Sequence, residues 1–285
     1  MIAVVGGTGR LGRLVAERLV AAGEPVRVIA RSEPGDPVPS ARFVAADVRD
    51  LGTLAPAIAG ADVVVSAVHG MDPSSGQSPR AVDRDGNLNL IRAARGVGAH
   101  VVLVSVIGAT PDHRMELHRM KGEAEQALRA GPADWTIVRA AAFAELWADV
   151  LRQAGGSSGV PRVFGRGTNP INFVSVHDVA AAVSRAATDP SLRGAVIEVG
   201  GPENLTMTEF ASRLTPDRRP PGHVPRAALQ AMALVAAPIW PARARLARQA
   251  LAMDETDLAF DPGASRAAYP WLPCTAVEAP ILGPP

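Results

Sequence analysis

The first twenty residues contain the pattern that most constrains the fold, in which a strand, a glycine-rich turn and a helix follow one another without a gap. The apolar strand at residues 2–5 runs directly into glycines at positions 6, 7, 9 and 12. A helix is predicted next because apolar residues recur every three or four positions, at Leu11, Leu14, Val15, Leu19 and Ala22. Gly23 ends that helix. This order of elements is typical of the first half of a βαβ unit.

The glycine turn itself predicts a phosphate-binding site. Gly6, Gly9 and Gly12 allow a tight turn and let backbone N–H groups approach a phosphate, while the positive end of the helix favours its negative charge. The spacing fits both Gly7-x-Gly9-x-x-Gly12 and Gly6-x-x-Gly9-x-x-Gly12. We therefore expect a dinucleotide to bind here; an ordinary strand-to-helix turn is the alternative interpretation.

The rest of the first half alternates between short β-branched runs and helical patterns. Strands are predicted at residues 25–30, 42–46, 62–68, 100–106 and 135–139, with a helix beginning near Thr53 and helices at 82–95 and 115–130. This alternation predicts an α/β fold, a Rossmann-type doubly wound parallel sheet covered by helices on both faces. The loop 69–79 follows a central strand at its carboxyl end, where ligands bind in such sheets.

Beyond residue 140 the alternation loosens. Helices are predicted at 144–153, at 177–188 and over 224–257 in two pieces broken at Pro238 and Pro241, with short strands at 162–164, 172–174 and 195–199. Thr206-x-x-Glu209 is a capping-box pattern, and the proline-rich tail is predicted to be irregular. We predict a dinucleotide-binding core over residues 1–142 and a smaller mixed cap region over 143–285, of which 160–200 partly return to the core. The cap is expected to close over the crevice and to supply substrate contacts.

Composition and charge exclude several classes of partner. With 47% hydrophobic and 20% charged residues in 285 positions, the chain is typical of a globular protein. A net charge of +1 argues against a nucleic acid or an anionic membrane as partner. A strand that begins at residue 2 leaves no room for a signal peptide, and the single cysteine, Cys274, fits a reducing compartment. We expect a cytoplasmic protein with a small-molecule substrate and, without a cysteine pair or helical histidine spacing, no metal.

The ends of the second and third strands carry further candidate cofactor contacts. Dinucleotide folds usually place an acidic residue after the second strand for the ribose 2′-hydroxyl, but this chain has Ala30-Arg31-Ser32 there. Arginine and a hydroxyl suit a 2′-phosphate, so we expect NADP(H) to be preferred, with NAD(H) possible because Glu33 is near. A solvated arginine is the alternative. Asp47 can accept a hydrogen bond from an adenine amino group or cap the next helix.

Together these motifs resemble an atypical short-chain dehydrogenase/reductase of the NmrA-like, NAD(P)H-binding branch. The resemblance spans roughly residues 1–215 and also rests on Asp47–Asp50, Asp85–Ile91, Val104–Ala109, Lys121 with Glu125, Trp135–Arg139 and Phe173–Ala180. It implies cofactor contacts from Gly6, Thr8, Gly9, Arg10, Leu11, Gly12, Arg31, Ser32, Asp47, Val48, Ser66, Ala67, Val68 and Lys121.

In active members of that family, a serine after the fifth strand and a Tyr-x-x-x-Lys pair carry the chemistry. The tyrosine exchanges a proton with the substrate oxygen, and the lysine holds the nicotinamide ribose and lowers the pKa of the phenol. Ser105 and Lys121 match, but the tyrosine position is Leu117. Lys121 is the single lysine beside 28 arginines, so its placement indicates that cofactor binding is retained while the usual acid–base step is lost.

Several groups could compensate for the missing tyrosine. His118 is a candidate catalytic acid, as are His113 and His69, because imidazole titrates near neutral pH; a surface or capping role is the alternative for each. Hydride transfer to a quinone or another conjugated acceptor could instead take its proton from water. Phe143 and Trp147 are candidate substrate contacts or, alternatively, core aromatics.

Three functions are compatible with this pattern. The first is an NADP(H)-dependent oxidoreductase acting on a small carbonyl or quinone-like compound. The second is a non-catalytic NADP(H)-binding redox sensor, and the third is an isomerase or cyclase on the same fold. Leu117 weakens the first relative to the other two, and the oligomeric state stays open.

Overall fold

A computed structural model describes residues 1–71, 77–131, 133–215, 217–236 and 239–277. The strands are β1 (Ile2–Val5), β2 (Val26–Ala30), β3 (Arg42–Ala45), β4 (Val63–Ser66), β5 (His100–Val106), β6 (Trp135–Ala140), β7 (Ala142–Phe143), β8 (Arg162–Phe164), β9 (Pro170–Val174), β10 (Val196–Val199), β11 (Asn204–Thr206) and β12 (Gly222–Val224). The α-helices are α1 (Arg10–Ala21), α2 (Leu51–Ala57), α3 (Asn87–Val97), α4 (Glu116–Arg129), α5 (Ala144–Gly155), α6 (Val176–Thr188), α7 (Met207–Arg213), α8 (Arg226–Val235), α9 (Pro241–Met253) and α10 (Gly263–Ala268).

A seven-stranded sheet confirms the predicted Rossmann-type fold. Its strand order is β10-β6-β5-β4-β1-β2-β3, and every neighbouring pair is parallel. The strands are nearly continuous apolar runs, as a sheet covered on both faces requires, and Val64, Val101 and Leu103 are fully buried. The chain order reverses between β1 and β4, so the carboxyl ends of these two strands border the crevice where ligands bind in such sheets.

A core of aliphatic side chains holds the sheet to its helices. Leu54 of α2, Leu90 of α3 and Leu128 of α4 are fully buried and pack with strand residues such as Ile29 and Ile137. Shortening one of these leucines to alanine typically costs about 2–5 kcal/mol in the free energy of unfolding. The strand ends at the crevice are therefore carried by a firmly packed scaffold.

Two helices begin elsewhere than the sequence predicts. Helix α2 begins at Leu51 because the Asp50 carboxylate caps it, accepting a hydrogen bond from Gly52 N at 2.9 Å. The helix predicted at 82–95 begins with a π-helical segment at Arg80–Gly86 and continues as α3. There the side-chain amide of Asn87 donates to the carbonyl of Asp83 at 2.6 Å, which satisfies a backbone oxygen where the regular helical ladder is interrupted.

The chain divides into two compact units. Unit 1 comprises Met1–Ala140 and His177–Val199, and it contains the seven-stranded sheet. Unit 2 comprises Ala141–Val176 and Gly200–Pro285. The predicted boundary lies at residue 142, and the stretch predicted to return to the core is 160–200. The substrate role of the second region stays a prediction.

Unit 2 contains two small sheets, β11-β9-β7 and β12-β8, together with α5 and α7–α10. The rings of Phe173 and Phe210 stack 4.1 Å apart in its core. Thr206 and Glu209 form the predicted capping box at the start of α7. The sequence does not reveal β7, β11 and β12, because two or three residues carry no readable alternation, and α10 lies in the tail predicted to be irregular.

Of the two prolines predicted to divide the long helical stretch, Pro241 begins α9. Pro238 lies outside the described residues, as do residues 72–76 of the predicted crevice loop. None of the described helices is long and apolar enough to cross a membrane. The cytoplasmic location and the absence of a membrane partner stay predictions.

Candidate functional site

The turn after β1 is packed so closely that side chains have no room. Gly6 has a φ of +83°, and a Cβ there would lie 2.7 Å from the carbonyl oxygen of Ala67. A Cβ on Gly12 would lie 2.2 Å from the carbonyl oxygen of Gly6. Both positions therefore require glycine. The same contacts bring the turn against the residue that follows β4.

The turn leads into a helix N-terminus that no side chain caps. Gly9 is the N-cap of α1 and makes no side-chain hydrogen bond, and the first turn contains no acidic residue. The first N–H groups of a helix have no acceptor within the helix, and the helix dipole is positive at this end. Thr8, Gly9 and Arg10 are exposed, whereas Leu11 and Gly12 are buried. The turn and the first turn of α1 thus form a cradle that suits a phosphate group.

The carboxyl ends of β2 and β3 carry charges of both signs. Arg31 and Ser32 are exposed directly after β2. After β3, Asp47 accepts from Arg49 Nη2 at 2.5 Å and from the Arg49 backbone N at 2.9 Å. The Arg49 hydrogen bonds, helped by the charge of Arg31, hold the pKa of Asp47 below its ordinary value although burial opposes this. The capping alternative for Asp47 is wrong, since Asp50 caps α2; its adenine contact stays a prediction and would compete with Arg49.

Two of the residues predicted to contact the cofactor have side chains that lie in the protein interior. Ser66 Oγ donates to Asn87 Oδ1 at 2.6 Å, and both side chains are fully buried. Val48 is buried among the core residues between the sheet and its helices. Ala67 and Val68 are half-buried. At the end of β4, backbone atoms rather than the serine hydroxyl are therefore available to a ligand.

Lys121 is buried, with only 4% of its side chain exposed. Its Nζ donates to the carbonyl oxygens of Val104 at 2.9 Å and Val68 at 3.2 Å, and it lies 3.1 Å from Asp83 Oδ1. An ammonium group has three N–H donors; two of them have carbonyl acceptors here, and the charge is balanced by the ion pair with Asp83. The ribose contact predicted for Lys121 would compete with these contacts.

Asp83, on the π-helical segment, is a site residue that the sequence analysis does not single out. It is fully buried, and its Oδ2 accepts from Gly70 N at 2.9 Å. Burial raises the pKa of Asp83, but the charge of Lys121 and the contacts of His69 and Gly70 outweigh burial and hold the pKa below its ordinary value. Oδ1 has no well-aligned hydrogen bond among the described residues, so its contact with Lys121 is an ion pair.

Ser105 and Leu117 occupy two of the predicted catalytic positions. Ser105, on β5, is 1% exposed, and its Oγ has no hydrogen-bond partner among the described residues. Leaving a buried hydroxyl unpaired costs about 1–3 kcal/mol, which a bound ligand can recover. Leu117, on α4, is half-buried and supplies no polar atom. The catalytic half of the site therefore offers a hydroxyl group but no phenol.

The histidines proposed as replacement acids differ in environment. The ring of His118 is buried and stacks on that of His113, with centroids 4.4 Å apart. Burial, with a smaller contribution from His113, lowers the pKa of His118 to about 4. His118 is therefore neutral near pH 7, which disfavours it as an imidazolium acid; its catalytic role stays a prediction. His69 is exposed, and its Nδ1 lies 3.7 Å from Asp83 Oδ1.

The candidate substrate contacts Phe143 and Trp147 both belong to unit 2. Both side chains are half-buried. Trp147 lines a small cavity together with Phe164, Met207 and other residues of unit 2. That cavity has an apolar wall suited to an apolar group, and the substrate role of both aromatics stays a prediction.

A family model described as NAD(P)H-binding matches residues 6–190. The chain belongs to this NAD(P)H-binding family. It is 31% identical over 222 residues to the NAD(P)H azoreductase of Xenophilus azovorans, covering 75% of this chain and 73% of that protein. It is 34% identical over 221 residues, with the same coverage, to the (4-alkanoyl-5-oxo-2,5-dihydrofuran-3-yl)methyl phosphate reductase of Streptomyces griseus.

Solved structures show the same fold at lower identity. The crystal structure of an NADPH-dependent quinone oxidoreductase from Escherichia coli in complex with NADPH gives a TM-score of 0.73 at 20% identity, covering 99% of this chain and 98% of that one. A nucleoside-diphosphate-sugar epimerase from Staphylococcus aureus gives a TM-score of 0.75 at 19% identity, covering 99% of both chains. At these identities the likeness concerns the fold.

The residues present fit the cofactor that the family match indicates. A nicotinamide dinucleotide contains a pyrophosphate, and the cradle at Gly6–Gly12 has the close backbone approach and the uncapped helix end that pyrophosphate binding needs. The cradle lies after β1, next to the crevice between β1 and β4. The turn and the first turn of α1 are therefore the candidate site for the pyrophosphate of a nicotinamide dinucleotide.

Proposed function

We propose that this protein is an NADP(H)-dependent oxidoreductase of the atypical short-chain dehydrogenase type, in the NmrA-like branch, and that it acts on a small carbonyl or quinone-like compound. The observation that carries the proposal is the glycine cradle, where a Cβ on Gly12 would lie 2.2 Å from a backbone oxygen. The names of two relatives at 31% and 34% identity support the reaction type, because both are reductases.

The relatives also support an acceptor with a conjugated double bond. One is named for an azo group, the other for an unsaturated oxo-furan ring, and the fold neighbour for a quinone. In such acceptors the negative charge that hydride addition leaves is spread over several atoms, so a strong side-chain acid is less necessary. This acceptor class suits a site with Leu117 at the tyrosine position.

The chain's own residues have limited roles in this reaction. Bound NADPH supplies the hydride. Ser105 donates a hydrogen bond that orients the substrate oxygen, which its unpartnered Oγ allows. Leu117 has no proton to give, and His118 is neutral at pH 7 because its pKa is about 4, so the proton comes from water.

NADP(H) is the preferred form of the cofactor in this proposal. Arg31 and Ser32 are exposed at the carboxyl end of β2, and Arg49 adds a second guanidinium beside Asp47. Arg49 is paired with Asp47, so Arg31 is the guanidinium that we propose for a 2′-phosphate. Arg31→Ala should therefore weaken NADPH binding more than NADH binding. Arg42→Ala, also exposed but at the opposite end of β3, is the matched control and should change neither.

The proposed partner is a small molecule, and Phe143 and Trp147 are proposed as its apolar contacts. Trp147 lines a cavity whose other residues include Phe164 and Met253. An apolar wall of this kind suits the ring of a quinone-like compound.

A redox sensor is the second candidate, and Leu117 favours it. A protein of this kind binds the cofactor tightly but needs no proton donor, so leucine at the tyrosine position costs it nothing. The two candidates agree on cofactor binding and differ in turnover.

Titration with NADPH and NADH, followed by NADPH oxidation across a panel of acceptors, tests the proposal. We expect tighter binding of NADPH than of NADH, and turnover with quinones, azo compounds or conjugated enones but not with simple ketones. Tight binding without turnover would favour the sensor. No binding of either nucleotide would overturn both candidates.

Restoring a phenol tests whether the proton donor alone is missing. Leu117→Tyr should raise simple-ketone reduction by at least about tenfold, because general acids typically contribute more than that to such steps. Leu117→Phe adds the ring without the hydroxyl and should give no gain. Equal rates in the two variants would show that the phenol position is not aligned with the substrate.

A further inference from the structure

The loop after β4 is held at two backbone points by side chains of opposite charge. Lys121 Nζ donates to the carbonyl of Val68 at 3.2 Å, and Asp83 Oδ2 accepts from the N–H of Gly70 at 2.9 Å. The two side chains lie 3.1 Å apart. The carbonyl oxygen of the loop thus accepts from the cation, and the N–H of the loop donates to the anion. The two buried charges neutralise each other.

The same loop forms one wall of the glycine cradle. Ala67 N donates to the carbonyl of Val5 at 2.9 Å, and the Ala67 carbonyl oxygen lies 2.7 Å from where a Cβ on Gly6 would be. At the other end of the loop, a Cβ on Gly70 would lie 2.5 Å from the Ser78 carbonyl oxygen. The loop has little space on either side, so a shift of its backbone would be transmitted to the cradle.

Both members of the pair are themselves anchored to the sheet. Lys121 also donates to the carbonyl of Val104 on β5. The segment that carries Asp83 is tied to β4 through Asn87, which donates to the Asp83 carbonyl and accepts from Ser66. The two charges are therefore fixed relative to β4 and β5, and the loop between them is the part that they position.

We propose that Asp83 and Lys121 act as a positioning pair that holds residues 67–70 against the glycine cradle and so sets the affinity for the cofactor. Lys121 does this through its hydrogen bonds to Val68 and Val104 and its ion pair with Asp83, and binding the nicotinamide ribose would compete with these contacts. The proposal rests on the proposed function for the identity of the cofactor. Its effect on the loop exists without any cofactor.

Amide hydrogen exchange in the cofactor-free protein tests the positioning directly. The peptide covering residues 67–71 should exchange faster in Asp83→Asn. Gly70 and Lys121 contact different oxygens of Asp83, and an amide presents an oxygen to one of them and an NH₂ group to the other. The same peptide should also exchange faster in Lys121→Met, which leaves the carboxylate without its counter-charge. A ribose ligand would not protect the loop in the absence of cofactor, so unchanged exchange in Lys121→Met would overturn the proposal.

NADPH affinity in a double-mutant cycle provides the second readout. Each single variant should raise Kd by roughly tenfold or more, the size typical of coupled residues in contact. The neutral double variant Asp83→Asn/Lys121→Met should bind more tightly than Lys121→Met alone, because no charge is left buried without a partner. A double variant as weak as Lys121→Met or weaker would assign Lys121 to the cofactor and overturn the pair.

Glu125→Gln is the matched control. Glu125 lies on α4 and, like Asp83, is a buried carboxylate. It accepts from Arg139 Nη2 at 2.7 Å, and among the described bonds it has no contact with the loop. The control should leave exchange of residues 67–71 and NADPH affinity unchanged. Circular dichroism checks that each variant is folded. If the folded wild type fails to bind NADPH, the proposed function is wrong, but the exchange test of the pair stays valid.

Discussion

Each unit contains a buried carboxylate that ties a glycine-containing loop to a cation, and the two carboxylates differ in how fully they are hydrogen-bonded. In unit 2, Asp254 accepts from the backbone N–H groups of Arg166 and Gly167 at 2.8 and 2.9 Å and from Arg226 Nη1 at 2.7 Å. In unit 1, Asp83 accepts from Gly70, while its other oxygen has only the ion pair with Lys121. The first set is complete within the protein, and the second is not.

The difference distinguishes Asp254, which we call the structural clamp, from Asp83, which belongs to the candidate site. Buried polar atoms in folded proteins nearly always have partners, so incomplete ones need a reason. Asp83 Oδ1, Ser105 Oγ and His118 Nδ1 all lack a hydrogen-bond partner among the described residues. They lie on the π-helical segment, β5 and α4, the elements that Lys121 joins. These three atoms are therefore candidates for hydrogen bonds to a ligand or to water, although Ser184 Oγ, on α6, also lacks a partner among the described residues.

Removing the complete clamp should have the largest effect on stability. Asp254→Ala leaves the N–H groups of Arg166 and Gly167 without their acceptor and Arg166 without its counter-charge, while Arg226 keeps Glu255. We expect a loss of about 3 kcal/mol in the free energy of unfolding. Urea denaturation measures it. Asp257→Ala, an exposed aspartate nearby, should lose less than about 0.5 kcal/mol. NADPH affinity should persist in both, and a loss below about 1 kcal/mol in Asp254→Ala would contradict the clamp.

Lowering the pH should reduce the stabilisation that each carboxylate provides, but by less than removing that carboxylate does. Burial raises the pKa of Asp254, but hydrogen bonds from Gly167, Arg226 and Arg166 outweigh it and hold the pKa below its ordinary value; the same direction holds for Asp83. A lowered pKa means that the stabilisation is present above the unfolded pKa of about 3.9 and is lost as the pH falls through the folded value.

The free energy of unfolding should therefore fall more steeply below pH 4 in the wild type than in Asp254→Asn. Urea denaturation at a series of pH values measures the slope. Equal slopes in the two proteins would show that Asp254 does not titrate below its ordinary pKa, and the comparison of the carboxylates would lose its electrostatic basis.

The sequence predicts the glycine cradle well but not the Asp83–Lys121 pair. The glycines are close together in the sequence, whereas the two residues of the pair are far apart in it. The glycines of the cradle at 6, 9 and 12 lie within seven residues, so they are readable as a pattern, although the contact of Gly6 with Ala67 is not. Asp83 and Lys121 meet only because β4, β5 and α4 are packed side by side. A usable signal was present, since Asp83 and Asn87 are polar residues at helical spacing on a face with Leu90 and Ile91, which are buried.

Ser105→Ala should change the stability least and therefore tests most sharply whether an incomplete hydrogen-bond set marks the site. The Ser105 hydroxyl has no protein partner to lose, so the free energy of unfolding should change by less than about 0.5 kcal/mol or rise slightly. Turnover with a quinone or conjugated enone should nevertheless fall by about tenfold or more, because a hydrogen bond to the reacting oxygen is lost.

Ser184→Ala gives the matched control for that prediction. Ser184 Oγ is also buried without a hydrogen-bond partner among the described residues, but it lies on α6, which is none of the elements that Lys121 joins. The two alanine variants should have similar stability, and only Ser105→Ala should lose turnover. If both kept full turnover, a missing partner would mark a packing defect in either place, and the contrast between Asp83 and Asp254 would concern stability alone.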